Sequence, residues 1–278
     1  MNLPHGTSPG PRLRKKTAPA RVKKNPGAAV FWAALLVPFG LCTIGSCVSS
    51  AVKAEEYYAI GSAYLDLKKY DEAEAWFNRS KFHAATRAAS EYNLGRIAYA
   101  RARYEEALIF FERNLKIDPE NITALTAAAY TCIKTGEFEK AEDYYRRVLA
   151  LVPESADEGF NYAMVLLAMN KNEEAEQVLI KYNNTENPDA LLLLARAQSR
   201  LGKPEAADAY SASLLKGGGE DIRLEYAEYL EARGLHDKAL EEYRRVLEHG
   251  TAGAELQEKA REAVGRLEEG TVPVSDSP

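Results

Sequence analysis

One alanine recurs at a nearly constant interval through most of the 278-residue chain, at Ala73, Ala107, Ala141, Ala175, Ala207 and Ala239. The successive intervals are 34, 34, 34, 32 and 32 residues. A period of this size is typical of repeat proteins, in which each unit buries its apolar face only by stacking on its neighbours. The period therefore predicts a solenoid, and stacked repeats build recognition surfaces more often than active sites.

Other residue types keep a constant distance from this alanine. Twelve residues before it the chain carries glycine or alanine, at Gly61, Gly95, Ala129, Ala163, Ala195 and Ala227. Four residues after it an aromatic residue recurs, at Phe77, Phe111, Tyr145 and Tyr243. Five residues before it glycine is frequent, as expected where a helix ends in the left-handed conformation, at Gly136, Gly202 and Gly234. Each unit is therefore predicted to be a helix, a tight turn and a second helix packed closely on the first.

These columns resemble the tetratricopeptide repeat (TPR). The resemblance is clearest from Tyr92-Asn93-Leu94-Gly95 through Ala107 and Phe111 to Pro119. It implies an all-α fold, a right-handed superhelix of helix-turn-helix repeats with a C-terminal capping helix. We expect six repeats, at 54–87, 88–121, 122–155, 156–187, 188–219 and 220–251. A capping helix is expected at 254–268 and a disordered tail at 269–278.

The N-terminal region has the order of a targeting signal. Residues 1–26, expected to be disordered, hold seven basic residues and no acidic residue, and 27–51 carry no charge. A basic stretch followed by an apolar stretch is typical of a secretory signal. The local sequence Ile44-Gly45-Ser46-Cys47 resembles the bacterial lipobox, which implies lipid attachment to Cys47 and cleavage before it.

Two alternatives to the lipoprotein signal stay open. An uncleaved signal anchor is possible because 28–48 is just long enough to span a bilayer. Both membrane interpretations place the repeats on the non-cytoplasmic side, because basic residues stay in the cytoplasm. The other alternative, a disordered tail followed by a buried helix, is disfavoured because the apolar run has no polar stripe.

Charge and reactive residues argue against nucleic-acid binding and catalysis. The chain has 36 basic and 41 acidic residues, and removal of 1–46 with its seven basic residues leaves 29 against 41. The four histidines are far apart in sequence, so we expect no metal, no cofactor and no enzymatic activity. Cys132 is predicted to be a small core residue. Several acidic residues are predicted to lie on solvated helix faces, among them Glu72, Glu74, Glu241 and Glu242.

In TPR arrays the first helix of each repeat lines the concave face, and the resemblance implies that its exposed residues bind a partner. Transferred to this chain, these residues are Tyr58, Tyr92, Asn93, Arg96, Tyr99, Tyr130, Phe160, Asn161, Met164 and Arg196. Tyrosine and phenylalanine supply flat contact area, and a side-chain amide bonds a peptide backbone through donor and acceptor. The alternative, that several of these aromatic residues pack against an adjacent repeat, stays open.

The sequence favours a membrane-anchored scaffold of the cell envelope that binds a peptide segment of another envelope protein in its concave groove. The alternative is an envelope carrier of a small apolar ligand, such as a lipid, in a closed superhelix. That carrier needs an apolar channel lined by Met164, Leu167 and Leu192. The sequence does not identify the partner.

Overall fold

The computed structural model describes residues 41–182, 186–248 and 252–270, with side chains from residue 51 onward. This part of the chain forms thirteen helices and no strand, which confirms the all-α fold class. The helices are α1 Leu41–Asp66, α2 Tyr70–Ser80, α3 Ala84–Ala100, α4 Tyr104–Ile117, α5 Ile122–Thr135, α6 Phe138–Leu151, α7 Ala156–Ala168, α8 Asn172–Tyr182, α9 Pro188–Arg200, α10 Ala206–Leu215, α11 Glu220–Ala232, α12 His236–Glu248 and α13 Ala254–Glu268. The predicted basic segment 1–26, the apolar residues 27–40 and the tail residues 271–278 lie outside the described residues.

From α2 onward, each helix packs mainly on the helices before and after it, within a compact unit that begins at Gly45. Six tight turns join the two helices of successive pairs, and each turn contains one residue with a positive φ. Three are the predicted glycines, Gly136, Gly202 and Gly234. The other three are not glycine: they are Lys68, Ala102 and Asn170, with φ between 56° and 58°.

Every one of these turns closes with the same backbone hydrogen bond. The residue after the left-handed position donates its N–H to a carbonyl five residues earlier, as from Arg103 to Ala98 at 2.9 Å and from Glu137 to Cys132 at 2.8 Å. This bond is the Schellman closure, which satisfies a carbonyl at the end of the first helix. The same turn geometry therefore ends the first helix of each pair, whichever residue occupies the left-handed position.

The small residues of the period lie where two helices meet. In α2, α4, α6, α8 and α12 the recurring alanine is fully buried, and the aromatic residue four positions later is buried beside it wherever one is present. A methyl group added at Gly95 of α3 would lie 2.6 Å from the ring of Phe111 in α4. The small residues are thus required by the closeness of the paired helices.

The fifth pair departs from the predicted register. Ala206, and not Ala207, is the fully buried alanine of α10, and Tyr210 four residues later is 2% exposed. The prediction of Ala207 as the contact residue was wrong, because one position of slip brings Tyr210 into the core in place of Ser211. An aromatic ring buries far more apolar surface than a serine, so the shifted register is the more stable one.

Ion pairs join successive repeats through acidic residues. The residue after the recurring alanine is a glutamate in α2, α6 and α8, and it pairs with a cation in the turn of the next repeat. The three pairs are Glu74 with Arg103, Glu142 with Lys171 and Glu176 with Lys203. Glu242 of α12 is also buried and pairs with Arg223 of α11 at 2.8 Å. The expectation of a solvated face was therefore wrong for Glu242, whereas Glu74 is half-buried and Glu72 and Glu241 are exposed.

Helix α13 packs on α12 and α11 at the C-terminal end of the array. It buries Ala260 and Ala263, while Glu258, Arg261 and Glu262 are exposed. Its apolar stripe covers the last pair of helices, and its charged side faces solvent. This is the arrangement that a terminal repeat needs to remain soluble.

Candidate functional site

The predicted partner-binding residues lie along the first helices of the pairs. We use the term first-helix face for the surface formed by Tyr58 on α1, Tyr92, Arg96 and Tyr99 on α3, Tyr130 on α5, and Phe160 and Met164 on α7. Arg96 is exposed and the other six residues are half-buried. The aromatic rings and the Met164 side chain pack against the core on one side, so part of each remains accessible to solvent.

At the N-terminal end of this face, hydrogen bonds connect two helices. The ring of Tyr58 packs on Phe77 with centroids 5.5 Å apart, and its hydroxyl accepts a hydrogen bond from Asn93 Nδ2 at 3.1 Å. Asn93 is only 5% exposed, and its Oδ1 accepts a hydrogen bond from Arg96 Nη1 at 3.1 Å. The Asn93 amide, predicted to bond a peptide, is therefore engaged within the protein and positions Tyr58 and Arg96.

Helix α3 presents a second aromatic pair. The ring of Tyr92 packs on Phe111 with centroids 5.8 Å apart, and the Arg96 guanidinium lies over the same tyrosine ring at 5.9 Å. Tyr99 meets Tyr104 edge-on at 5.3 Å. Burial, together with the neighbouring Tyr104 hydroxyl, raises the pKa of Tyr99, so its hydroxyl stays protonated and able to donate at neutral pH.

Between α5, α6 and α7 lies a polar group that we call the Glu158 cluster: Thr126, Tyr130, Tyr145, Glu158 and Asn161. Tyr130 donates its hydroxyl hydrogen to Asn161 Oδ1 at 2.9 Å, and Thr126 donates to Glu158 Oε1 at 3.2 Å. The Tyr145 ring is fully buried and meets the Tyr130 ring edge-on at 6.3 Å. The two hydrogen bonds join the first helices of consecutive repeats along the first-helix face.

Burial dominates the electrostatics of the Glu158 cluster. It raises the pKa of the Glu158 carboxyl, and the hydrogen bonds from Asn161 and Thr126 offset only part of that rise. Burial also raises the pKa of Tyr130, and the nearby Glu158 carboxylate adds to the rise. Asn161, the second amide predicted to bond a peptide, is 9% exposed and engaged with Tyr130.

Arg196 on α9 forms its hydrogen bonds with α11 and not with the residues of the first-helix face. Its guanidinium forms a forked ion pair with Glu225 of α11, with Nε–Oε1 and Nη2–Oε2 distances of 2.8 and 2.7 Å. Glu225 also accepts a hydrogen bond from Tyr210 at 2.9 Å. The structure thus engages the predicted Arg196 in a contact between repeats.

Two further predictions concern the core. Cys132 is a free, fully buried thiol, and burial raises its pKa to about 12, which confirms the prediction of a core residue. Leu167 and Leu192, named for an apolar channel, are 6% and 7% exposed and pack in the core. Within the described ranges, no group of three His, Cys, Asp or Glu residues could hold a metal ion.

Sequence reasoning missed Glu158 and Tyr145. Glu158 follows Ser155 by three residues, and the Glu158 backbone N–H donates a hydrogen bond to Ser155 Oγ at 3.4 Å. The local sequence therefore indicates a helix cap and not a binding residue. The available signal was the spacing of Glu158 and Asn161, which places both on one side of a helix. Tyr145 was assigned only to packing, as an aromatic residue of the period.

Sequence profiles described as tetratricopeptide repeat match residues 54–81, 86–154 and 189–216. The matched segments carry the helix pairs, the buried alanines and the Schellman turns described above. The chain contains tetratricopeptide repeats. The pairs α7–α8 and α11–α12, outside these matched segments, have the same turn, so the TPR architecture continues through them.

Among the relatives of this chain is a Treponema pallidum protein described as an uncharacterized lipoprotein, 28% identical over 140 residues, which cover 50% of this chain and 70% of the relative. A solved tetratricopeptide repeat protein from Parabacteroides merdae has a TM-score of 0.62 at 20% identity, covering 81% of this chain and 94% of that one. YrrB, solved as a TPR protein with an unusual peptide-binding site, has a TM-score of 0.57 at 18% identity over 67% of this chain and 97% of YrrB. These two structures share the fold with this protein.

No helix in the described ranges combines the length and the apolarity that a bilayer-spanning segment needs. Cys47 lies in α1, within the stretch 41–50 for which only the backbone is described.

Proposed function

We propose that this TPR protein is a scaffold of the cell envelope that binds a peptide segment of another protein along its first-helix face. The observation that supports this is the row of half-buried aromatic rings on α1, α3, α5 and α7. Such rings are held rigidly by the core and keep an accessible part, so they supply contact area with little loss of conformational entropy on binding. In TPR proteins this face is concave, and YrrB is described as having a peptide-binding site.

The hydrogen bonds divide the face into contact residues and positioning residues. We assign contact with the peptide to Tyr92, Arg96, Tyr99, Phe160 and Met164, which keep accessible surface. The buried amides, Asn93 and Asn161, instead hold Tyr58 and Tyr130 in place. Arg96 is then the exposed donor on α3 that is available to a peptide carbonyl or carboxylate.

For the anchor, we propose that Cys47 is lipidated and that the repeats lie on the non-cytoplasmic side of a bacterial membrane. The support is the lipobox-like sequence Ile44-Gly45-Ser46-Cys47 after a basic and apolar stretch, together with the lipoprotein relative. Cys47→Ser is expected to abolish incorporation of labelled fatty acid and to leave an unprocessed precursor. Label that persists in the variant would reject the proposed anchor.

Photo-crosslinking in cells tests the binding face. A photoreactive phenylalanine at position 92 is expected to give an adduct with a partner, whereas the same residue at position 109 is expected to give none. Ile109 is the matched control, because it is an exposed apolar residue on the second helix of the same repeat. The yield of the position-92 adduct should fall when Tyr99 is changed to alanine. Equal adducts at positions 92 and 109 would refute binding at the first-helix face.

A further inference from the structure

The Glu158 cluster contains two buried polar atoms without a hydrogen-bond partner among the described residues. They are Oε2 of Glu158 and the hydroxyl oxygen of Tyr145. The Tyr145 side chain is fully buried, and this burial raises the pKa of its hydroxyl, to which the neighbouring Tyr130 hydroxyl and then the Glu158 carboxylate add. A buried polar group without a partner costs free energy, and the cost is larger for a carboxylate than for a neutral group.

Among the other buried carboxylates of the array, Glu91 of α3 also leaves one oxygen without a partner among the described residues, whereas three others are compensated within the protein. Glu142, Glu176 and Glu242 each pair with a lysine or arginine at 2.5–2.8 Å. Glu158, in contrast, forms no ion pair with any residue in the described ranges, and its surroundings supply only neutral donors from Thr126 and Asn161. The half-buried carboxylate of Glu158, at the edge of the proposed binding face, thus lacks the cation that Glu142, Glu176 and Glu242 each have.

The chemistry of the missing group follows from its neighbours. An ammonium or guanidinium group would donate to Glu158 Oε2 in a charge-assisted hydrogen bond and to the free lone pairs of the Tyr145 hydroxyl. An anion would meet the carboxylate, and an apolar group would leave both buried atoms unpaired.

We propose that the Glu158 cluster binds the cationic end of a lysine or arginine side chain of the partner peptide. This inference rests on the proposed function and specifies which peptides the face would bind. The peptide would place a basic residue between α5 and α7 and contact the aromatic residues of α3 beside it. The charge balance of the chain without residues 1–46, 29 basic against 41 acidic residues, also favours a basic partner.

A peptide selection with the full chain in detergent tests this proposal. A random peptide library is selected on the wild-type protein, and a selected peptide is synthesised with its basic residue intact or replaced by norleucine. We expect a basic residue at one shared position, and about a ten- to hundredfold loss of affinity on replacement by norleucine, the range of a charge-assisted hydrogen bond.

Variants of the protein then locate the effect. With Glu158→Gln, which keeps the size of the side chain, the basic and norleucine peptides should bind equally, and Tyr145→Phe should reduce the difference between them. The matched control is Asp157→Asn, which removes the same charge from an exposed neighbouring residue and should keep the full preference. Far-UV circular dichroism verifies that each variant is folded.

The outcomes separate this inference from the proposed function. If the selected peptides lose binding to the Tyr92→Ala variant but share no basic residue, the inference is overturned and the proposed binding face stands. A preference that survives Glu158→Gln would also overturn it. A wild-type protein that selects no peptide would overturn the proposed function and this inference together.

Discussion

The six turns between paired helices allow the cost of a non-glycine residue in the left-handed conformation to be tested within one molecule, by Ala→Gly at one turn and Gly→Ala at another. Ala102 and Gly136 occupy equivalent positions, with φ of 56° and 78° and the same Schellman hydrogen bond. Ala102 is exposed, and a Cβ at Gly136 would meet no atom within 4 Å. Exchange of alanine and glycine at these positions therefore changes the backbone energy without a change in side-chain packing.

The magnitude follows from two opposing terms. The left-handed conformation costs a non-glycine residue about 1–2 kcal/mol. Glycine loses more conformational freedom on folding than alanine, which costs about 0.5–1 kcal/mol. Ala102→Gly should therefore stabilise the protein by about 0.5–1 kcal/mol, and Gly136→Ala should destabilise it by a similar amount.

Equilibrium urea unfolding followed by far-UV circular dichroism measures both changes. The double variant should lie close to wild type, because the two turns belong to different repeats and their effects should add. The control is Ala59→Gly at an exposed position inside α1, which should lower stability by about 0.5–1 kcal/mol. A loss of stability for Ala102→Gly as well would refute the assignment of backbone strain to this position.

Three further predictions concern packing, pH and reactivity. Gly95→Ala should lower the free energy of unfolding in urea by about 1–3 kcal/mol, because the added Cβ would lie 2.6 Å from the Phe111 ring. Gly61→Ala should cost less, because its Cβ would lie 3.0 Å from the Phe77 ring. Equal losses in the two variants would contradict the packing argument. Burial raises the pKa of Glu158, so its ionised form destabilises the fold above the folded-state pKa, and this cost disappears as the pH falls below the ordinary value of 4.5. Glu158→Gln should therefore raise the urea midpoint at neutral pH and leave it unchanged in acid, and a constant difference would rule this out. The thiol of Cys132 should resist alkylation in the native protein and react only after unfolding, as monitored by mass spectrometry; rapid native labelling would contradict its buried position.

Much of the fold could be predicted from the period alone. Small residues at fixed spacing predicted paired helices, and three glycines predicted the left-handed turns. The same reasoning failed at Ala206 because the count of residues across a turn does not determine the register of the next helix. That register follows from the competition between Tyr210 and Ser211 for the core, which is a property of the packed structure.

The candidate site shows the same division. The spacing of Tyr92, Tyr99 and Tyr130 predicted that they would share the first-helix face, because residues on one helix face follow from helical geometry. It could not predict that Asn93 and Asn161 would be used to hold tyrosines, since each of those bonds joins residues more than thirty positions apart. Nor could it show that Glu158 lacks a cation, because the positions of lysine and arginine side chains depend on how the repeats stack.

By itself, the sequence determined the repeating unit: a small side chain at the helix contact, an aromatic residue beside it, and a turn that ends each first helix. These features depend on neighbours along the chain, and local sterics and helical periodicity are enough to specify them. Only the tertiary structure decided which polar groups are satisfied between repeats and which remain open. That outcome depends on the distances between atoms of different repeats, and it separates the paired carboxylate of Glu142 from the unpaired carboxylate of Glu158.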